Sequence, residues 1–415
     1  MAAWFRQDEI CEPAFQSKAT PLVSYGRPFP ETCRRHIVND FKSSRVYLIA
    51  SASLSRNSPY VELLKDALKD LLSGVHIGIS PHTPISEVVD ILAKVKDLNI
   101  DCIVTLGAGS ITDGAKLVRF ALANDAWSEE ELKTLWGGKS VNPDKRETLH
   151  LPTIPLICIP TSLSGGEYQA IAGATDMSGT KAKHTYEPRR DPELVIQDPQ
   201  LCTTTPQKIW LSSGVRAIDH CVETLCSLQR GHGDEMARTG LQKLVSGLIR
   251  CTKDPQDLTA RHICQQGVVE AMCAVSCGTP LGASHAIGHQ LGPLGVGHGE
   301  TSCVALPAVC KFNARKNANI KEQQGVLNLL TKQPEVQSLL SSDDKFTPDQ
   351  KLDLGDVLDL IIRRLGMPRS LEAVGVGSDK FEELAVNILH DLWIRTNAYP
   401  ITRKEEVLEI LQEVK

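Results

Sequence analysis

The chain has 415 residues and a net charge of -5, which is too long for one typical core and predicts two domains. Hydrophobic residues make up 41% and charged residues 23% of the chain, an ordinary balance that argues against disorder. The acidic balance argues against a nucleic-acid partner, and no run reaches the ~20 apolar residues that span a membrane. The start lacks a secretory pattern, and the 13 cysteines form no C-x-x-C pair, so we expect a cytoplasmic protein with reduced thiols.

Short apolar runs alternate with segments of helical period through the first half of the chain. The predicted strands cover 45–50, 75–79, 101–106, 154–159 and 194–196, and the predicted helices cover 59–72, 85–98 and 112–123. A polar excursion over 125–149 is expected to hold one short helix, over 128–135. This alternation predicts an α/β domain with a parallel sheet that is covered by helices on both faces.

The second half of the chain has helical period in nearly every patterned segment. Thr205 is predicted to cap a helix that has Pro206 in its first position, and Gly366-Met367-Pro368 is predicted to end a later helix. We therefore predict an α/β domain over 1–204 and an all-helical domain over 205–415.

A glycine-rich turn follows the third predicted strand. In Gly107-Ala108-Gly109-Ser110, backbone N–H groups can approach a phosphate, and the following helix favours its negative charge. Asp113 sits in the first turn of that helix, where a carboxylate is also favoured. The spacing is not G-x-G-x-x-G, so a phosphate site and an ordinary tight turn remain equally open.

Small hydroxyl residues follow the next strand of the predicted sheet. Thr161, Ser162 and Ser164 come directly after the strand over 154–159. Open α/β sheets bind ligands at the carboxyl ends of their strands. Taken alone, an ordinary polar loop is the commoner interpretation of these residues.

Four histidines and one arginine form the second candidate site. His285 and His289 share a helix face at i, i+4, and His298 follows a glycine-rich stretch. His220 lies on an earlier helix, with Arg216 one turn before it. One histidine on an apolar face is usually a core residue, but three within a short stretch favour a site.

The carboxylates that could complete a metal site with these histidines are few. Asp219, Glu223 and Glu300 are the only ones close in sequence, and Asp219 and Glu223 are not both expected on the face of Arg216 and His220. A histidine-only metal site is therefore not strongly indicated.

Together these motifs identify a family. The chain resembles the iron-containing (group III) alcohol dehydrogenases, and most closely their maleylacetate reductase branch, over roughly residues 45–411. The resemblance rests on motifs spread along the chain: His82-Thr83-Pro84, Gly107-Ala108-Gly109-Ser110 with Asp113, Pro160-Thr161-Ser162, Asp198-Pro199, Ser213-Gly214-Val215-Arg216-Ala217-Ile218-Asp219-His220, and His285-x-x-x-His289 leading to His298-Gly299-Glu300-Thr301.

The resemblance implies a function as well as a fold. It implies a dinucleotide-binding N-terminal domain, a helical C-terminal domain with the active site in the cleft between them, and often a homodimer. It also implies hydride transfer from NADH or NADPH to a small-molecule carbonyl or conjugated acid. The first strand is followed by Ser51, Ser53 and Arg56 rather than an acidic residue, which slightly favours NADPH.

Arg216 departs from the family pattern. In the metal-using branch, the positions of Arg216, His220, His285 and His298 hold Asp, His, His and His, which bind Fe²⁺ or Zn²⁺. A guanidinium cannot ligate a cation, so we predict that metal is absent. Arg216 is then expected to polarise a carbonyl or clamp a carboxylate, or alternatively to form a salt bridge with a nearby acid.

These residues predict a metal-independent NAD(P)H-dependent reductase of a small unsaturated keto acid or related carbonyl. The predicted catalytic residues are Arg216, His220, His285, His289 and His298, and the predicted cofactor-binding residues are Ser51, Gly107, Ala108, Gly109, Ser110, Asp113, Thr161, Ser162 and Ser164. An Fe- or Zn-dependent alcohol dehydrogenase, and a non-redox dehydratase, isomerase or cyclase on the same fold, remain alternatives.

Overall fold

The computed structural model describes residues 5, 8–136, 149–178, 183–229, 231–343 and 351–415. The chain divides into two compact units, Met1–Thr205 and Pro206–Lys415. Part of the polar excursion predicted over 125–149, residues 137–148, lies outside the described residues. None of the helices within the described ranges is long and apolar enough to cross a membrane.

The described part of the N-terminal unit alternates strands and helices. Its strands are β1 (Ile10–Pro13), β2 (Leu22–Tyr25), β3 (Val46–Ala50), β4 (Leu72–Ile77), β5 (Cys102–Gly107), β6 (Leu156–Pro160), β7 (Ala172–Thr175), β8 (Lys183–Tyr186) and β9 (Leu194–Gln197). Its helices are α1 (Phe29–Asn39), α2 (Ala52–Asn57), α3 (Tyr60–Leu68), α4 (Ile85–Val95), α5 (Gly109–Ala123), α6 (Glu129–Thr134) and α7 (Pro199–Cys202).

Seven of the described strands form one sheet, in the order β1-β2-β9-β6-β5-β3-β4. All its pairs are parallel except β1 with β2, which confirms the predicted fold class. The residues of β3, β5 and β6 are all buried, as expected for central strands covered on both faces. From β3 the chain adds β4 on one side and β5 on the other, so the order reverses between β3 and β5. Open α/β sheets bind ligands at the carboxyl edge of such a reversal.

Several element boundaries differ from the sequence prediction. The helix predicted over 59–72 ends at Leu68, because Leu72 pairs with Val46 of β3 and begins β4. A run of closely spaced leucines is compatible with either a helix or a strand, and here the pairing with β3 makes the end of the run a strand. Helix α5 begins at Gly109, three residues before the predicted start, so Gly109 and Ser110 belong to its first turn. The short helix predicted over 128–135 is present as α6, which Ser128 caps.

The described part of the C-terminal unit contains helices and no strand, as predicted. Its helices are α8 (Gln207–Cys226), α9 (Asp234–Lys253), α10 (Leu258–Ser276), α11 (Ala283–Leu291), α12 (His298–Arg315), α13 (Ile320–Thr331), α14 (Pro334–Ser341), α15 (Leu354–Arg364), α16 (Phe381–Ile388), α17 (Leu392–Thr396) and α18 (Lys404–Glu413). The predicted cap at Thr205 was wrong: Pro206 occupies that position, and the Thr205 hydroxyl donates to the Thr161 carbonyl instead. Gly366 follows α15 with φ +70°, which confirms the predicted helix stop.

Helices α8 and α12 approach each other closely at Gly299, the second residue of α12. A Cβ atom at Gly299 would lie 2.3 Å from the backbone carbonyl carbon and oxygen of Ser212 on α8. Only glycine permits this contact. It fixes α8 against α12, the two helices that carry Arg216 and Ser302.

We expect Gly299→Ala to destabilise the protein by about 1–3 kcal/mol, because the methyl group must push α8 and α12 apart. Denaturant unfolding measures this loss. Gly325→Ala on α13 is the matched control, since nothing lies within 4 Å of a Cβ at Gly325. The control should gain about 0.5–1 kcal/mol from helix propensity. Equal stability of the two variants would contradict the close approach.

Candidate active site

The carboxyl ends of β3, β5 and β6 bring the predicted cofactor-binding loops together in the N-terminal unit. The Ser51 N–H after β3 donates to the Leu106 carbonyl at 2.9 Å, and the Thr161 N–H after β6 donates to the Gly107 carbonyl at 3.0 Å. Ser51, Gly107 and Thr161 therefore follow three neighbouring strands at one edge. This is the edge beside the reversal of strand order.

The first turn of α5 faces this edge without a side-chain cap. Ala108 is the extended N-cap residue and offers no acceptor to the first N–H groups of the helix. A Cβ atom at Gly109 would lie 3.0 Å from the Ser164 hydroxyl oxygen, and one at Gly107 would lie 3.2 Å from the Ser51 Cβ. The glycines keep the loop open, and uncapped N–H groups at a helix start favour an anion.

Two hydroxyl groups at the same edge lack a partner among the described residues. The hydroxyl oxygens of Ser162 and Ser164 are buried and make no hydrogen bond there. A buried polar group without a partner costs about 1–3 kcal/mol, so these hydroxyls need a partner such as ordered water or a ligand. The open glycine loop, the uncapped helix and the two hydroxyls together fit the phosphates of a dinucleotide.

Three other predicted cofactor-binding residues have structural partners, through their side chains at Asp113 and Ser51 and through the backbone at Ser110. The Asp113 carboxylate accepts from the Gly173 N–H at 3.1 Å and pairs with the Lys116 ammonium at 3.4 Å, which ties α5 to β7. The Ser51 hydroxyl caps α2 by accepting from the Leu54 N–H. The Ser110 carbonyl accepts from the Thr83 hydroxyl at 3.3 Å. Cofactor contacts of Asp113, Ser51 and Ser110 stay predictions.

In the C-terminal unit, one face of α8 carries Arg216, Asp219, His220 and Glu223. The expectation that Asp219 and Glu223 do not share the face of Arg216 and His220 was wrong. Steps of three, four and seven residues return to the same side of a helix, and counting them would have found both carboxylates. Asp219 is fully buried, and Arg216 and Glu223 are nearly so.

Arg216 and Asp219 are joined through the Ser302 hydroxyl of α12. The Arg216 Nη1 donates to the Ser302 hydroxyl at 3.1 Å and lies 3.8 Å from the Asp219 Oδ2. That oxygen accepts from the hydroxyls of Ser302 at 2.6 Å and Ser284 at 2.8 Å. The salt bridge left open as an alternative role for Arg216 is therefore present.

His285 is oriented by Glu223. The imidazole Nδ1 lies 2.7 Å from the Glu223 Oε2, and the Glu223 oxygens accept from the N–H groups of Gly282 at 2.8 Å and Ser284 at 2.9 Å. The His220 ring stacks on the His285 ring at 4.8 Å. The His285 Nε2 and the His220 Nδ1 are buried without a hydrogen bond among the described residues. These two nitrogens can exchange protons with a ligand.

Burial shifts the acids and the bases of this cluster in opposite directions. It lowers the pKa of His285, as does Arg216 beside it, and it lowers the pKa of His220, so both rings are neutral near pH 7. It raises the pKa of Asp219, which the Glu223 charge raises further, and it raises the pKa of Glu223. The Asp219–Glu223 pair therefore still carries a proton near neutral pH.

The remaining two predicted catalytic histidines occupy more exposed positions than His285. The His289 Nδ1 lies 2.9 Å from the Asp391 Oδ2, and its side chain is 30% exposed. His298 is the exposed first residue of α12. Catalytic roles for both stay predictions.

The resemblance associates Fe²⁺ or Zn²⁺ with the positions of Arg216, His220, His285 and His298, whereas the carboxylates of this cluster are Asp219 and Glu223. Ligand atoms of Asp219, Glu223 and His285 lie within 4.8 Å of one another. However, the buried Arg216 guanidinium lies 3.8 Å from the Asp219 oxygen and also donates to the Ser302 hydroxyl, which holds its charge beside the cluster. At about 4 Å it would repel a dication by about 8 kcal/mol, even at an effective dielectric constant near 20. The residues present do not fit a divalent cation.

Comparisons with known proteins agree with this architecture. The model of the iron-containing alcohol dehydrogenases matches residues 29–199, and the model of the C-terminal part of the Fe-containing alcohol dehydrogenase family matches residues 210–414. The chain belongs to the iron-containing alcohol dehydrogenase family. This membership confirms the predicted family and makes the protein an oxidoreductase.

Three similar proteins illustrate the range of the family. Dehydrogenase FUM7 of Gibberella moniliformis is 36% identical over 411 residues, covering 94% of this chain and 95% of its own. Maleylacetate reductase of a Rhizobium species is 29% identical over 339 residues, covering 78% and 77%. The crystal structure of maleylacetate reductase from Agrobacterium tumefaciens has a TM-score of 0.71 at 24% identity, covering 100% of this chain and 98% of its own.

The raised carboxylate pKa values predict how stability depends on pH. Folding raises the pKa of Asp219 from 3.8 to about 8 and that of Glu223 from 4.5 to about 7. The folded state therefore binds more protons than the unfolded state between these limits, and stability falls as the pH rises from about 4 to about 8. Denaturant unfolding over this range should show the loss.

Glu223→Gln isolates the contribution of one group. Its amide keeps an oxygen for one of the two backbone donors, Gly282 or Ser284, and does not titrate. We expect the variant to lose less stability than the wild type as the pH rises, by up to about 1.4 kcal/mol per pH unit. Parallel pH profiles would contradict the raised carboxylate pKa.

Proposed function

We propose that this family member is a metal-independent NAD(P)H-dependent reductase of a small unsaturated keto acid or related carbonyl, working as a cytoplasmic homodimer. The observation that carries the proposal is the buried Arg216 guanidinium, at the position where the metal-using branch has an aspartate ligand. The maleylacetate reductase among the relatives supports the substrate class. NADPH is slightly preferred because Ser51, Ser53 and Arg56 follow the first central strand.

The N-terminal unit would bind the cofactor through its phosphates. The uncapped N–H groups of α5 and the hydroxyls of Ser162 and Ser164 would receive them, with Gly107 and Gly109 keeping the approach open. When bound, the dinucleotide supplies the hydride. The presence of this glycine-rich loop supports a redox reaction over the non-redox alternatives.

Arg216 would stabilise the negative charge that a metal ion stabilises in the metal-using branch. Reduction of a carbonyl places negative charge on oxygen, and a buried guanidinium stabilises that charge more strongly than one in water. Its pairing with Ser302 and Asp219 holds it in place. A substrate carboxylate offers the planar pair of oxygens that a guanidinium binds bidentately, and an enolate oxygen can accept a single hydrogen bond from it.

His285 and Glu223 would supply the proton. The Nδ1 of His285 faces Glu223, so its Nε2 is left to exchange a proton with the product oxygen. Glu223 keeps a proton near neutral pH because burial raises its pKa. It can give that proton to Nδ1 as Nε2 releases its own, so the imidazole never becomes a buried cation. His220, stacked on the ring, fixes its plane.

One observation favours the metal-dependent alternative. The ligand atoms of Asp219, Glu223 and His285 are close enough to hold a cation if Arg216 moves away. Metal analysis of the purified protein, with activity measured before and after EDTA treatment, separates the two. Activity that disappears with the metal and returns with it would overturn metal independence.

We expect NADPH, and more weakly NADH, to bind saturably to EDTA-treated protein, as measured by fluorescence titration. Gly109→Ala should weaken this binding, because its Cβ fills the space between α5 and the Ser164 hydroxyl. Gly325→Ala on α13 is the matched control and should bind like the wild type. Absence of saturable binding of either cofactor would exclude the reductase.

We expect Arg216→Met to lower kcat by about 10²–10³-fold, as loss of an oxyanion donor does in other enzymes. Methionine fills the volume without the charge. Arg238→Met, an exposed arginine on α9, is the matched control and should leave turnover unchanged. Near-normal turnover of Arg216→Met in folded protein would rule out the proposed role.

A further inference from the structure

A polar cavity adjoins Glu223 inside the C-terminal unit. Glu223 lines this cavity, whereas His285 does not, and the cavity volume is about 20 Å³. About 10–15 Å³ is enough for one water molecule where the walls offer polar partners. We propose that water in this cavity relays protons from solvent to Glu223. The inference rests on the proposed function, in which the Asp219–Glu223 pair gives up a proton in every turnover.

Each turnover of the proposed reaction leaves this pair of acids short of one proton. Glu223 gives its proton to the His285 Nδ1, 2.7 Å away, while the His285 Nε2 gives its own to the product oxygen. Glu223 is only 8% exposed and His285 only 2%. A proton from solvent must therefore reach Glu223 either through the imidazole or from the cavity. As long as the product lies against Nε2, the cavity is the open route.

The walls of the cavity offer hydrogen bonds for a relay water. Asn313 and Asn319 each use one of their two side-chain N–H groups within the described part of the chain, in bonds of 3.1 Å and 2.8 Å. The Gln323 Nε2 donates to two oxygens, at 2.9 Å and 2.8 Å, which leaves its Oε1 as an acceptor. A buried water typically makes about three hydrogen bonds, and these amides together with Glu223 supply them.

The cavity extends from Glu223 toward the surface beside α17. Pro280, Thr396 and Ala398 line it at partly exposed positions, while Glu223 is buried at the inner end. Gly282 also lines it, and a Cβ atom there would lie 3.0 Å from the Glu223 Oε1. Glycine at this position therefore leaves a carboxylate oxygen uncovered, so a water in the cavity can reach it.

Glu223 is the only carboxyl group among the residues that line the cavity. Cys226 and Cys310 line it too, but burial raises the pKa of both thiols, so they stay protonated at neutral pH. The relay step is balanced without another reactant. One O–H bond of the water breaks as an O–H bond forms on the carboxylate, and the water takes a proton from the solvent side.

A crystal structure of the wild-type protein tests the cavity directly. We expect an ordered water within hydrogen-bond distance of the Glu223 carboxylate and of the Asn319 or Gln323 amide. A dry cavity would overturn the relay, because a proton cannot cross an apolar gap. This readout requires neither NADPH nor a substrate.

Infrared spectroscopy after rapid mixing with D₂O measures how fast protons reach Glu223. The signal is the carboxyl band that Glu223→Gln removes, and His285→Phe closes the route through the imidazole. In the His285→Phe protein, we expect Ala398→Leu at the outer end of the cavity to slow exchange by about 10-fold or more, since exchange then requires local opening of the fold. Ala373→Leu, at an exposed position outside the cavity, is the matched control and should exchange like His285→Phe alone. Equal rates in the two leucine variants, or no such band at neutral pH, would contradict the proposal.

Stopped-flow measurement of NADPH oxidation connects the cavity to turnover. With His285 intact, Ala398→Leu should complete its first turnover at the wild-type rate and then slow, because Glu223 starts protonated and regains its proton slowly. Ala373→Leu should show no such burst. Equal slowing of the first and later turnovers would argue against the relay, since a general packing defect acts on both. Failure of the wild type to bind NADPH would exclude the reductase instead, and the ordered water and the exchange rate would still decide the cavity.

Discussion

The buried charge of Arg216 is the constraint on which the C-terminal unit depends. A guanidinium cannot lose its proton in a protein, so it needs a negative partner and hydrogen-bond acceptors wherever it is buried. Asp219 is that partner, three residues away on α8. Removing Asp219 alone would leave an uncompensated buried cation, which is among the more costly changes a core can suffer.

The neighbouring helices α11 and α12 contribute residues that contact this pair. Helix α11 contributes the Ser284 hydroxyl and α12 contributes the Ser302 hydroxyl, and both donate to Asp219. A Cβ atom at Gly288 on α11 would lie 3.1 Å from the Arg216 Nη1, so glycine makes room for the guanidinium. The polar groups of three helices thus converge on one charge. This convergence accounts for Ser284, Gly288 and Ser302 at buried positions of α11 and α12.

The sequence was most informative where periodicity and strand ends decide the structure. Alternating strands and helices gave the α/β unit, and the glycine loop after β5 lies at the carboxyl edge, as predicted. The sequence analysis predicted no element before residue 45 and therefore missed β1, β2 and α1. Strands of four residues, such as β1 and β2, carry too little periodic signal to be recognised. Asp219 and Glu223 were missed through a miscounted helix face. The pairing of Glu223 with His285 spans 62 residues, and no local pattern predicts it.

In the proposed metal-independent reaction, an arginine in place of a metal ion changes which groups hold the protons. A metal ion can bind and activate water, whereas a guanidinium offers only fixed donors. The neutral histidines cannot store a proton either, because burial and Arg216 lower the pKa of His285. The proton for the reaction is therefore expected to reside on the Asp219–Glu223 pair, because burial raises the pKa values of both acids. In the proposed reaction, Arg216 can stabilise a growing negative charge only while one of these acids stays protonated, since a doubly ionised pair would leave a net charge of about -1 beside it.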